Sequence, residues 1–204
     1  KATKLETNYN RVHEIRMRFE VVKRDATIDC LQAIIDGADE GKMLDELEGR
    51  LAKLDDDYAF IAESNIGGEF MTPAQTRRIK IIANIEWSRT LDDRIGISKD
   101  ELKHKEREKI PRLPVVETLL ADREDQIIYR DKQDVTSEFS SNDFKLKIPK
   151  NKYNMGEVYN LCIKRGTLTD EERFIINDHI VQTINMLEIL PFPGHLKKVP
   201  EYAG

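Results

Sequence analysis

Arg11-Val-His-Glu-Ile-Arg-Met-Arg-Phe-Glu-Val-Val-Lys-Arg-Asp-Ala26 decides the fold class of this chain. Val12, Ile15, Phe19, Val22 and Ala26 recur at spacings of three, four, three and four, which lines them along one side of an α-helix. Leu44, Leu47, Leu51, Leu54, Tyr58 and Ile61 repeat the pattern. Gly37 and Gly41 bracket a short polar break between the two runs. The spacing therefore predicts an antiparallel helical hairpin over residues 5–64, with helices of roughly 30 and 20 residues. Packing of each seam on the other helix explains the pattern without a cofactor. It leaves Glu46, Arg50, Lys53 and Asp57 on the outer face. A hairpin that paired across subunits would instead bury Leu47, Leu51 and Leu54 against a partner.

Beyond the hairpin, Asn65-Ile-Gly-Gly-Glu-Phe-Met71 is a break, and Thr72-Pro73 opens a helix with threonine as cap and proline in the first turn. Ile79, Ile82, Ala83, Glu86 and Trp87 carry that helix inward to about Ser88. Asp92 and Asp93 make a poor acid–base or metal pair, because adjacent carboxylates on a helix point apart and no histidine is near in sequence. Ser98 with Glu101 is a capping box for a short charged helix ending before Pro111. Its His104 lies among Lys103, Lys105 and Glu106, as on a solvated face.

From Pro111 to Pro149 the character changes. Val115 to Ala121 suits one or two helical turns, and Gln126–Arg130 and Phe144–Ile148 suit short strands around a polar, Ser-rich connection from Asp131 to Asp143. Lys145, Lys147, Lys150 and Lys152 could be imagined around a phosphate, yet lysines alternating along an edge strand protect it from pairing. The expected class is mainly α: a long hairpin, a helical bundle, and a small β element between residues 126 and 148.

Composition excludes several function classes. The 204 residues are 35% charged and 39% hydrophobic, enough for a core, with a formal net charge of −5. Basic residues are interspersed with carboxylates, which argues against nonspecific nucleic-acid binding. No apolar run reaches the length of a membrane span and no N-terminal signal is visible, so the segment is expected to be cytoplasmic and free of membrane contact. A membrane anchor upstream of Lys1 in the parent is compatible with this reading. Cys30 and Cys162 have no CxxC partner, which suits a reducing compartment.

Arg165-Gly-Thr-Leu-Thr-Asp-Glu-Glu-Arg173 carries the clearest helix start. Thr169 and Glu172 form a capping box, and Ile176, Ile180, Thr183, Leu187 and Leu190 follow on one face until Pro191 stops the helix. His179 sits on that face. By periodicity alone it is a histidine at the rim of a core, since one histidine is not a metal site.

These words resemble the HD-GYP family of metal-dependent phosphohydrolases. In that family Gly-Lys-Leu-Thr-Asp-Glu-Glu opens a helix whose histidine binds an active-site metal, and a His-His-Glu motif begins the next functional helix. The resemblance makes His179 the one candidate metal ligand here and assigns no catalytic or cofactor-binding residue. Leu190-Pro-Phe-Pro193 and Val199-Pro-Glu-Tyr-Ala-Gly204 look like a subgroup in which they run into Gly-His-His-Glu. Lys1-Ala-Thr-Lys-Leu-Glu6 resembles the link that follows the family's His-Asp-x-Gly-Lys motif. The chain departs from the pattern where Gly166-Thr167 replaces Gly-Lys and Asp178-His179-Ile180 replaces His-Pro. The two link words lie about 160 residues apart, far beyond an ordinary loop.

Residues 1–160 are accordingly expected to be an inserted helical domain, with the hairpin at 5–64 and further helices and a β element at 72–160. Residues 161–204 are expected to be part of an HD-GYP core. The resemblance implies a parent that hydrolyses cyclic di-GMP in bacterial signalling at a bi- or trinuclear centre of iron, manganese or similar ions, where bound metals lower the pKa of the attacking water. The insert would regulate or dimerise, and a homodimer through the hairpin is a possible partner. With one family ligand, the isolated chain is expected to be inactive and to hold no metal tightly. The alternative is a non-catalytic helical interaction or regulatory module of a signalling protein.

Overall fold

A computed structural model of the chain describes residues 11–130 and 147–193. Among these the backbone is mainly helical, with helices α1 (Arg11–Ile35), α2 (Glu40–Ile66), α3 (Pro73–Ala83), α4 (Lys99–Lys105), α5 (Glu157–Leu161) and α6 (Asp170–Ile189). Four short strands, β1 (Glu86–Arg89), β2 (Val115–Thr118), β3 (Ile127–Tyr129) and β4 (Asn151–Asn154), form two antiparallel pairs, β1 with β2 and β3 with β4. The chain divides into two compact units, Lys1–Gln126 with Met155–Thr167, and Ile127–Asn154 with Leu168–Gly204.

The hairpin forms where its seams predict, with one correction: Asp57, expected on the outer face, is buried at 6% exposure because Arg78 of α3 meets its carboxylate at 2.9 Å. Ile15, Phe19, Val22, Ala26 and Cys30 are the buried side of α1, and Leu54, Asp57 and Ile61 are that of α2. Phe19 and Tyr58 meet edge to face, ring centroids 5.6 Å apart, a geometry that aligns a positive ring edge with a negative face. Gly37 makes the turn at φ +101°, a conformation that costs a residue with a Cβ. Asp39 then caps α2 by accepting the Lys42 N–H at 2.8 Å. The seam of α2 is buried only near its C-terminal half: Leu44 is exposed, Leu47 and Leu51 are half-buried, and Leu54 packs inside the unit. Leu54 is therefore spent on intrachain packing and is not part of a free surface.

The core of this unit joins the hairpin to Ile79, Ile82 and Ala83 of α3, Leu119 and Leu120 after β2, and Leu161 of α5. Burying each large side chain contributes about 1.5–3 kcal/mol. Two expectations are corrected here. Helix α3 ends at Ala83 with Asn84 as its C-cap, so Glu86 and Trp87 belong to a strand. Residues 115–118 are likewise a strand and not helical turns. Trp87 stands opposite Glu117 and Arg89 opposite Val115, and the Leu119 N–H donates to Ile85 O at 2.7 Å. Those β1–β2 hydrogen bonds come from residues some thirty positions away, beyond the reach of a helical period.

In the second unit β3 pairs with β4, Ile128 opposite Tyr153. The expected strand at 126–130 appears as β3 after a short 3₁₀ turn, Glu124–Gln126. The expected strand at 144–148 does not appear where it was placed: 144–146 lie outside the described residues, 147–149 are irregular, and the strand is Asn151–Asn154. Of the four lysines, only Lys152 lies on it, and Lys145 falls outside the described residues.

Candidate functional site

Helix α6 starts where its sequence says. Thr169 Oγ1 accepts the Glu172 N–H at 3.2 Å while Glu172 Oε2 accepts the Thr169 N–H at 2.9 Å, so two otherwise unpaired donors are satisfied. Asp170, Glu171 and Glu172 fill the first turn, where carboxylates meet the positive end of the helix dipole.

The buried face of this helix differs from the expected one. Glu171, Phe174, Val181 and Ile184 are buried, whereas Ile176, Ile180, Thr183 and Leu190 are exposed and Leu187 is half-buried. The helix is apolar on two sides, and tertiary contacts select between them. Within the second unit α6 packs on β4, and the Arg130 guanidinium lies 4.5 Å above the Phe174 ring while its Nε donates to Pro149 O at 3.1 Å. The Phe174 side is consequently the inner one.

His179 lies on the uncovered stripe with Ile176 and Ile180, exposed to solvent and not packed at a core rim. Its carbonyl oxygen accepts the Thr183 hydroxyl at 2.8 Å, an ordinary back-bond to the preceding turn. The neighbouring Asp178 is half-buried, and its Oδ1 is shielded from water without a hydrogen-bond partner among the described residues. Arg130 Nη2 is in the same condition. No signal in the sequence pointed to either atom.

The described residues do not assemble a metal centre. A transition-metal site needs three or four converging nitrogen, oxygen or sulfur ligands, and no group of three or more His, Cys, Asp and Glu residues converges in this way among them. His179 offers a single imidazole.

The other candidates resolve into structural roles, each within the first unit. Asp92 Oδ1 accepts the Arg94 N–H at 2.9 Å, closing a turn. Asp93 sits in an ion network, 2.5 Å from Lys105, 3.4 Å from Arg89 and 3.9 Å from Arg123. Burial alone would raise its carboxyl pKa, but the hydrogen bond and charge of Lys105, with the charges of Arg89 and Arg123, outweigh burial and hold it below the ordinary carboxylate range. Arg89 also grips Glu117, with Nε and Nη2 at 3.1 and 2.8 Å from the same oxygen, tying β1 to β2. His104 is half-buried on α4.

Clefts open on the same unit among the described residues. One of about 270 Å³ is lined by Arg11, Phe60, Asn65, Phe70, Gln75 and Thr167 among others. A second of about 240 Å³ lies beside Arg18, Trp87, Arg123 and Glu157. Neither contains His179, the candidate metal ligand; Thr167 of the link word lines the first, and Trp87 lines the second.

No helix among the described residues is long and apolar enough to cross a membrane. Neither the curated proteins nor the solved structures contain a match to this chain. Residues 114–204 match the family model of the HD domain. The C-terminal part of the chain, with the Thr169-capped helix and His179, is thus similar to the HD domains, a family of metal-dependent phosphohydrolases.

Proposed function

We propose that this chain is part of an HD-GYP-type phosphohydrolase whose substrate is the phosphodiester of cyclic di-GMP in bacterial signalling, with divalent ions of the iron or manganese type as cofactors. His179 is one metal ligand, and the remaining ligands come from outside the described residues. Residues 1–160 are the inserted domain, regulatory or dimerising, and 161–204 belong to the catalytic core. The segment acts in the cytoplasm.

One observation carries this reading: within a segment that matches the HD domain, α6 presents His179 on a stripe flanked by the uncovered Ile176 and Ile180. A ligand on a buried face would be closed to a metal. A ligand on an uncovered apolar face allows a second helix to pack there, exclude water and bring further ligands within bonding distance.

The test is His179→Ala in the intact protein. Metal content and phosphodiesterase turnover are expected to fall together at an unchanged melting temperature, because the imidazole is exposed. Full metal occupancy and full turnover in the variant would remove His179 from the centre. A second reading, association without catalysis, is favoured by the exposed apolar residues of the hairpin. It predicts an intact protein that neither holds metal nor hydrolyses the cyclic dinucleotide.

A further inference from the structure

The side of α1 that faces away from α2 carries a heptad of its own. Met17, Val21, Arg24, Ile28, Leu31 and Ile35 follow one another at spacings of four, three, four, three and four. Relative to this seam, Phe19, Ala26 and Ala33 occupy the diametrically opposite heptad position. Phe19 and Ala26 are buried in the hairpin and Ala33 is half-buried. The helix therefore has two seams on opposite sides, and among the described residues only one has a partner. Met17, Ile28, Leu31 and Ile35 are 47%, 62%, 51% and 76% exposed, and Val21 is half-buried. The outward side of a surface helix is ordinarily polar. Here five of the six outward positions are apolar, over a length of about 28 Å at ~1.5 Å per residue.

We infer that this outer seam of α1 is the interface with a second copy of the same chain, the two α1 helices running antiparallel. This inference rests on the reading of the hairpin as an association module and names its surface. A 3.5-residue repeat of large apolar side chains is complementary to another helix, whose four-residue holes accept such knobs, and not to a strand or a small ligand. The seam is symmetric about Ala26, so an antiparallel pair sets Met17 against Ile35, Val21 against Leu31, and Arg24 against Ile28 of the second copy.

Charge selects the direction. A parallel pair would stack Arg24 on its own copy in one layer, two like charges in a desolvated seam. The antiparallel pair brings each Arg24 beside Asp25 and Asp29 of the second copy. Within one chain Arg24 has, among the described residues, a surface contact with Glu20 at 3.9 Å, which holds it weakly. A single-helix seam of this length lies near the lower end of the ~1,200–2,000 Å² buried by stable interfaces, which corresponds to a reversible dimer.

Sedimentation equilibrium of the 204-residue chain is expected to show a monomer–dimer equilibrium with Kd in the micromolar range, and Leu31→Glu and Ile35→Glu are each expected to weaken it by about tenfold or more. Both side chains are at least half exposed, so the urea midpoint of each variant should match the parent. Orientation is read from disulfide trapping in a Cys162→Ser background. A mixture of Val21→Cys and Leu31→Cys chains should cross-link, while Val21→Cys alone should not. A chain that stays monomeric to about 500 µM overturns the proposal. A dimer indifferent to both glutamates keeps association by the hairpin but overturns this seam, and a Val21→Cys homodisulfide overturns the antiparallel arrangement. None of these outcomes bears on metal content, so failure here is distinct from failure of the phosphohydrolase reading.

Discussion

Removing one carboxylate, that of Glu157, should loosen the whole first unit. Its side chain is 5% exposed, and Oε2 accepts both Arg18 Nη1 at 2.9 Å and the Ala121 N–H at 3.0 Å. The Arg18 guanidinium is itself largely buried, donates to Leu119 O at 2.9 Å, and reaches Glu14 at 3.0 Å. One carboxylate thus joins α1, the turn after β2, and α5. Glu157→Ala leaves a buried cation without its main counter-charge and a backbone N–H without an acceptor. Breaking a buried pair costs about 3–5 kcal/mol, and the surviving Glu14 and Leu119 contacts place the expected loss near the lower end, about 3 kcal/mol. At a urea m-value of roughly 2 kcal/mol/M this lowers the midpoint by about 1.5 M.

Trp87 provides the assay. It is the sole tryptophan, and its ring centroid lies 5.9 Å from the Arg18 guanidinium carbon, so its fluorescence reports this unit alone. Glu157→Gln keeps an acceptor for Ala121 and should lose about half as much. Glu14→Gln, on the exposed side, should lose about 0.5 kcal/mol or less. The Arg18→Leu, Glu157→Leu double variant should be more stable than Glu157→Ala, because no unpaired charge remains buried. A loss below about 1 kcal/mol for Glu157→Ala, or a double variant as weak as the sum of its singles, would refute the view that an uncompensated charge sets the cost.

Two glycines and one aspartate give further tests. Gly67→Ala should destabilise by more than about 1 kcal/mol in the same urea assay, because Gly67 has φ +77° and a Cβ would stand 2.7 Å from Thr167 Cγ2. Gly49→Ala, inside α2 with nothing within 4 Å of a new Cβ, should stabilise by about 0.8–1 kcal/mol. Asp93 has a folded-state pKa below its unfolded value of about 3.9. Its stabilising contribution is therefore complete above that value and lost as pH falls through the lower folded one. Asp93→Asn should lower the midpoint at neutral pH and make the fall below pH ~4 shallower, and an unchanged acid limb would contradict the ion network's role.

Local features were legible without coordinates because their causes lie within a few residues of one another. The capping boxes of Ser98 with Glu101 and of Thr169 with Glu172 form as written, as does the threonine–proline start of α3. The seams from Ile15 to Ala26 and from Leu54 to Ile61 face each other in the hairpin. The helix that carries His179 was placed correctly for the same reason, since its cap and its proline stop are local.

Wherever a segment had two acceptable states, tertiary structure decided. Residues 86–89 and 115–118 satisfy their backbone through each other, and a partner some thirty residues away leaves no period in either segment. Helix α6 and helix α1 are each apolar on two sides, so pattern alone cannot say which side is inside. Burial went to the side that met β4 and Arg130 in α6, and to the side that met α2 in α1. His179 was left exposed because water is excluded only where another element arrives, and which element arrives is a property of the assembled chain and not of the helix.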